Sequence, residues 1–215
     1  MALMLDEPRS GGSGDFLPII TFAATTGEWL AHNSVNDGSG WVRSRSEIDV
    51  PTKVVMDLDN IEEGWILIGQ GHVDMAMAKH GEGVPDRPSV EHKAGFRITL
   101  GNKALGVRQF SHTAKTVRGA ISKLHDQWIR ERADNPGKLP VVEIAKPETI
   151  EMEGRNGILR FKAPSFSIVG WTANTALQKL GNDGGQSVSA SPPPPPPPPR
   201  VEVVKPLVED DDELF

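Results

Sequence analysis

The chain has no cysteine among its 215 residues. That excludes disulfides, thiolate nucleophiles and cysteine-ligated zinc ribbons, and it agrees with a reducing, cytoplasmic setting. The six histidines, at 32, 72, 80, 92, 112 and 125, form no H-E-x-x-H and no close ligand pair, so no zinc site is expected. Nucleotide fingerprints are missing too. Gly69-Gln70-Gly71-His72 lacks the G-K-[ST] of a P-loop, and no G-x-G-x-x-G opens a helix. No Ser/His/Asp arrangement is recognisable and no segment repeats. Long apolar runs are absent as well. Phe16 to Ala24 has the hydrophobicity of a leader's centre, but Asp6, Glu7 and Asp15 precede it where a leader carries basic residues. No stretch approaches the roughly 20 apolar residues of a membrane span. The expectation is a soluble chain with no cofactor, no metal and no membrane partner.

Hydrophobic residues make up 37% and charged residues 24%, which suits one globular domain with unstructured ends. The net charge of −6 is unevenly spread. Residues 200 to 215 hold Arg200 and Lys205 against six acids, a net −4, which leaves −2 for the rest. The body is near neutral, so its basic residues matter only where they cluster.

Pro192 to Pro199 is an unbroken run of eight prolines. Without backbone donors and with φ fixed, such a run stays extended at about 3.1 Å per residue and serves as a spacer. It also has the composition of an SH3 or WW ligand, a reading that the spacer role outweighs. Beyond it come Glu209, Asp210, Asp211, Asp212 and Glu213, then Leu214 and Phe215. The acids repel one another and bury nothing, and the apolar tip suits a partner's pocket. An acid run closed by Phe resembles the C-terminal tails of single-stranded DNA-binding proteins, both of bacteria and of tailed bacteriophages. The resemblance implies that Asp210, Asp211, Asp212, Glu213, Leu214 and Phe215 recruit a polymerase, primase or similar replication or recombination protein.

In chain order, residues 1–15 with Ser10-Gly11-Gly12-Ser13-Gly14 read as a flexible lead, and residues 16–180 as the folded body. Residues 181–208 read as a Gly/Ser/Pro-rich linker, and 209–215 as the acidic tail. Within the body, Trp41 to Arg45 follows a glycine-rich loop as an extended segment. Val50 to Leu58 and Gly64 to Gly69 read as strands around a turn at Asp59 to Glu63. Gly71 to Ser89, with Gly81, Gly83, Pro85 and Pro88, reads as a long irregular insertion. Gly95 to Leu100 and Leu105 to Phe110 form a hairpin across Gly101-Asn102. Thr113 to Ala133 is a helix, capped by Ser111 or Thr113, with Val117, Ile121, Leu124 and Trp128 on one face and Lys115, Lys123, Arg130 and Arg132 on the other. Asn135-Pro136-Gly137 stops it. Four short strands follow: Leu139 to Ala145, Thr149 to Glu153, Ile158 to Lys162 and Ser165 to Trp171, with a turn at Arg155 to Gly157.

Strands, one helix, then strands is an α+β, mainly β order, shared by several small barrels and sandwiches. It is also the order of the OB-fold, a small Greek-key barrel with its long helix between the third and fourth strands. Pro164-x-Phe166-x-Ile168-x-Gly170-Trp171 resembles phage proteins of the OB-type single-stranded DNA-binding class. That resemblance implies an OB-like body and a role in phage or prophage DNA replication, recombination or repair.

Single-strand binding needs cations for phosphates and flat side chains for bases. Trp41 with Arg43 and Arg45 offers both along one side of an extended segment. Arg160 and Lys162 share a face, with Leu159 and Phe161 expected to pack inward behind them. Arg97 and Arg108, on the two strands of one hairpin, are expected to extend this surface, with Lys53 on a neighbouring strand. Trp65, Trp128 and Trp171 are expected in the core and Trp41 outside it. A rival reading is an assembly protein that binds no nucleic acid and docks a basic partner through its acidic tail. An enzyme reading rests only on Asp57, Asp59, Glu62 and Glu63, whose spacing can hold Mg²⁺ but is also ordinary turn chemistry, so no catalytic residue is assigned.

Overall fold

The computed structural model describes residues 17–36, 41–69, 72–154 and 157–184. The strands are β1 (Ile19–Phe22), β2 (Trp29–Asn36), β3 (Trp41–Glu47), β4 (Thr52–Met56), β5 (Glu62–Gly69), β6 (His72–Lys79), β7 (Lys93–Asn102), β8 (Gly106–His112), β9 (Lys138–Gly154) and β10 (Gly157–Ala173). Helix α1 (Lys115–Glu131) separates β8 from β9, and α2 (Ala176–Gly184) follows β10. The protein is mainly β with one long helix. Its strands make one open sheet in the order β10-β9-β4-β7-β8-β1-β2-β3, with β5 and β6 branching from β7. β7 pairs β8 along one edge and β5 and β4 along the other.

The core follows from strand periodicity. Ile20 and Phe22 on β1, Trp29 and Ala31 on β2, Val54 and Met56 on β4, Phe96, Ile98 and Leu100 on β7, and Val142 and Ile144 on β9 all point to one side. Val117, Ile121, Leu124 and Trp128 of α1 close over them. Trp29 lies at the centre at 1% exposure, its ring 4.9 Å from Phe22 and 5.1 Å from Phe110. α2 packs on the other face of the sheet, over β7 and β8, with Leu177 buried. Because α2 runs from 176 to 184, structure continues past the expected boundary at 180.

Although the sheet is open, it curls. The amide of Lys162 on β10 donates to the carbonyl of Ala24, in the β1–β2 turn, at 2.7 Å. Gly27 of that turn, with φ +86°, sits where an added Cβ would lie 3.1 Å from Lys162 Cγ. No strand pairing joins β10 to β3, so the closed barrel implied by the OB resemblance is not formed among the described residues.

Several sequence expectations are corrected. The segment from Gly71 to Ser89 is not irregular throughout, because β6 pairs with β5 along its whole length. The positive-φ glycines Gly81 and Gly83 lie beyond β6, in the stretch from 80 to 92. The hairpin of β7 and β8 turns at Lys103 to Leu105, where Asn102 Oδ1 accepts from the amides of Ala104 and Leu105. Helix α1 is capped by neither Ser111 nor Thr113; the Ala114 amide donates instead to His112 Nδ1 at 2.9 Å. The four strands after α1 are two. Pro147 and Pro164 fall in a bulge between the pairs Ala163–Glu148 and Ser165–Ala145, where no ladder donor is needed, so both strands run through.

Candidate nucleic-acid interface

β3 is an end strand of the sheet, and Arg43 and Arg45 on it are exposed. The register puts Trp41, Arg43 and Arg45 on one face, opposite Asn36, Ser34 and His32. The Trp41 side chain lies outside the described residues. Arg45 and Arg108, together with burial as the larger cause, hold the His32 imidazole below its ordinary pKa. Lys53, on β4 and across from Glu143, is exposed on the same face of the sheet, the one turned away from α1.

Arg97 and Arg108 do not extend one surface. Arg97 pairs with Ser111 and Arg108 with Leu100, so the two arginines stand on opposite faces of the hairpin. Arg97 is held by Glu62, with its Nη2 2.8 Å from Oε1; this hydrogen bond raises the guanidinium pKa despite partial burial. Arg108 is on the core side, 8% exposed, and burial lowers its pKa. It donates to Leu105 O at 2.7 Å, His32 O at 2.9 Å and Asn33 Oδ1 at 2.7 Å, which ties β8 to β2 across β1. Its alternation with Phe110 was visible in the sequence. The partners that make burying a guanidinium tolerable were not.

Arg160 and Lys162 lie on the distal part of the β9–β10 ribbon, beyond the bulge. Arg160 Nε is 2.8 Å from Glu151 Oε1 and Lys162 Nζ is 2.8 Å from Thr149 Oγ1. Of the pair behind them, Leu159 does not pack inward. Leu159 is 50% and Ile158 63% exposed, because this part of the ribbon pairs only with itself. Phe161 is half-buried and, with Thr25, Thr149, Glu151, Arg160 and Lys162, lines an open cleft of about 350 Å³ between the ribbon and the β1–β2 turn. Sequence alternation, which puts Phe161 on the face away from Arg160 and Lys162, gave no sign of this cleft.

Of the other tryptophans, Trp128 is buried, Trp171 is half-buried against the core, and Trp65 is half-buried under the segment from 80 to 92. Trp65 Nε1 donates to Pro85 O at 2.8 Å, and the Arg87 guanidinium carbon lies 5.1 Å from its ring. The carboxylates of the enzyme reading engage four different partners. Asp57 accepts from Asn60, Asp59 lies 3.5 Å from Arg132, Glu62 holds Arg97, and Glu63 lies 3.2 Å from His80. The acidic tail, Asp210 to Phe215, lies outside the described residues. No described helix is long and apolar enough to cross a membrane. No protein-family model matches the chain, and no match is found among curated proteins or solved structures.

Proposed function

We propose that the protein binds single-stranded DNA without sequence preference, in replication, recombination or repair, and recruits a polymerase, primase or similar protein through Asp210 to Phe215. The observation that carries the reading is the cleft at the ribbon. Arg160 and Lys162 line it from one face of the exposed strand, with Phe161 between them in the chain, and cations beside an aromatic residue are what a splayed strand needs. Arg160 is mostly exposed and its pairing with Glu151 is solvated. Such a pair contributes at most about 1 kcal/mol, so exchanging carboxylate for phosphate costs little. Arg43, Arg45 and Lys53 supply further exposed cations, and Arg108 drops out of the set.

An OB-type body is the finer reading we attach to this function. β4, β7 and β8 precede α1, and β9 and β10 follow it. Taken alone, these five strands put the helix between the third and fourth, the order expected of an OB-fold. The β5–β6 hairpin is then an insertion between the first and second, and β1 to β3 an addition beside the third. The Lys162–Ala24 bond and the Trp29–Phe166 contact, 5.9 Å between ring centroids, draw the sheet's two ends toward each other.

Fluorescence anisotropy with a labelled homopolymer strand and its duplex tests the function. Saturable binding of the single strand, at least tenfold tighter than the duplex, is expected. Equal affinity for both, or none for either, overturns it, and the second result would favour docking of a basic partner through the acidic tail.

A further inference from the structure

A second cavity, of about 200 Å³, lies between α1 and the strands β5 and β7. Its walls include Glu63, His80, Phe96, Arg118, Ser122 and His125. Arg118 Nε is buried there and has no hydrogen-bond partner, and the guanidinium has no ion pair among the described residues. A buried donor with nothing to donate to costs free energy, and this one belongs to a guanidinium whose residue lines the cavity, so the group is short of an acceptor. The other three buried orphan nitrogens belong to Trp29, His92 and Trp128, none of which lines this cavity.

The charges around it decide the sign of that acceptor. Of the carboxylates that face the cavity from β5, Glu62 is held by Arg97 of β7, and Glu63 lies 3.2 Å from His80 Nδ1. Asp126 and Arg132, from α1 and the turn after it, act on His125 with opposite sign. The guanidinium of Arg118 is the one full positive charge on the wall, it has no ion pair among the described residues, and the Glu63 carboxylate is offset by His80 only when that ring carries a second proton. His80 and His125 meet edge to face with centroids 4.8 Å apart, and each proton they take adds positive charge beside it. Burial, then His80, holds the His125 imidazole below its ordinary pKa, so at neutral pH this ring is uncharged.

We propose that this cavity is a binding site for a small oxyanion, a phosphate or sulfate group held by Arg118 and Ser122, with affinity that rises as His80 and His125 protonate. The guanidinium fork matches two oxygens of such a group, the Ser122 hydroxyl reaches a third, and the imidazolium N–H groups complete the shell. The site stands independently of the DNA-binding reading.

Sulfate is the probe, because its charge is constant over the range in which imidazoles titrate. Imidazole resonances of the full chain are followed during addition of sodium sulfate, against sodium chloride at matched ionic strength. Saturable, concerted shifts of His80 and His125 are expected, with affinity about tenfold higher at pH 5.5 than at pH 7.5. An opposite charge at this range raises an imidazole pKa by about one unit or more, and one unit is a factor of ten. Arg118→Gln should abolish the shifts, whereas Lys115→Gln, on the exposed side of α1, should preserve them. No saturable shift beyond chloride overturns the site, as does unaltered sulfate binding by Arg118→Gln. If Arg118→Gln does not fold, the parent's shifts and their weakening in Ser122→Ala decide. A thymidine homopolymer added to the sulfate-loaded protein identifies the source: release of sulfate assigns the site to a phosphodiester, and retention assigns it to a free oxyanion.

Discussion

The ring of Trp29 on β2 meets the ring of Phe166 on β10 edge to face, 5.9 Å between centroids, although these strands are six places apart in the sheet. The contact crosses the core where a closed barrel would have a ladder. It makes the curl of the sheet depend on side chains, with the Lys162–Ala24 hydrogen bond as the backbone contribution.

A double-mutant cycle measures this closure. Trp29→Leu and Phe166→Leu should each destabilise the fold in urea, the first more strongly because Trp29 touches Phe22, Phe110 and Phe166 together. Their coupling should be about 0.5 to 1.5 kcal/mol, the range for aromatic pairs beyond area burial. Additive effects would mean that the two rings touch without holding the ends together.

Arg108→Ala should cost about 1 to 3 kcal/mol in stability, because it strips three acceptors of their donor inside the fold. Single-strand affinity at a temperature where the variant is folded should stay at the parent value. A loss of affinity without loss of stability would return Arg108 to the interface.

Arg160→Ala with Lys162→Ala should do the reverse. Both side chains reach into the open cleft, so the melting temperature should barely move. The slope of log K against log[salt], about −3 for the parent, should become shallower by about 1.4, at roughly 0.7 per lost phosphate contact. An unchanged slope would remove the ribbon from the DNA path.

Stability should fall as the pH is lowered from 7 toward 5.5. His32, His112 and His125 are each held below the ordinary imidazole pKa in the fold, mainly by burial. The unfolded chain therefore takes up protons first, near pH 6.5, and the loss is complete only below the depressed folded values. His112 is the sharpest case: Nδ1 accepts from the Ala114 amide, so Nε2 carries the proton and donates to Phe22 O at 3.0 Å. His112→Gln should flatten the pH dependence of the melting temperature, and a parent whose melting temperature rises on acidification would refute the assignment.

The acidic tail should act as a tethered competitor for the cationic surface. Deleting residues 209–215 is expected to tighten single-strand binding at low salt, where screening is weak, and to abolish recruitment of the replication partner. Phe215→Ala keeps every charge and should lose only recruitment. Pull-down and anisotropy on the two variants separate these effects.

The sequence made the helix legible because Val117, Ile121, Leu124 and Trp128 recur at helical spacing, and β5, β7 and β8 because their apolar runs end at glycine or turn residues. β2 was hidden by its polar alternate positions, Asn33 among them, and β6 by the Gly and Pro residues that follow it. The bulge at Pro147 and Pro164 looked like two strand ends, since a proline is compatible with either. At the candidate site, β3 is exposed on both faces around Arg43 and Arg45, whereas the exposure of Lys53 and Arg160 and the partial exposure of Lys162 followed from simple alternation. Burial of Arg108 did not, because it depends on acceptors from His32 and Asn33, more than 70 residues away. Leu159 was misplaced for a related reason. Alternation names two faces but does not say that the ribbon outruns the core that would cover one of them.

β7 has ladder partners on both edges, β8 on one from Phe96 to Asn102 and, on the other, β5 from Lys93 to Arg97 and β4 at Leu100 and Gly101, whereas the distal ribbon's ladder is only with itself. In deuterium exchange these two regions should occupy opposite ends of the timescale. Amides from Glu148 to Glu153 and from Ile158 to Phe161 can open in a local fluctuation that breaks one ladder and exposes little apolar surface. Those of β7 exchange only when three strand pairings fail together, which is global unfolding. The cleft at the ribbon can thus reshape around a ligand while the strand that organises the sheet stays closed.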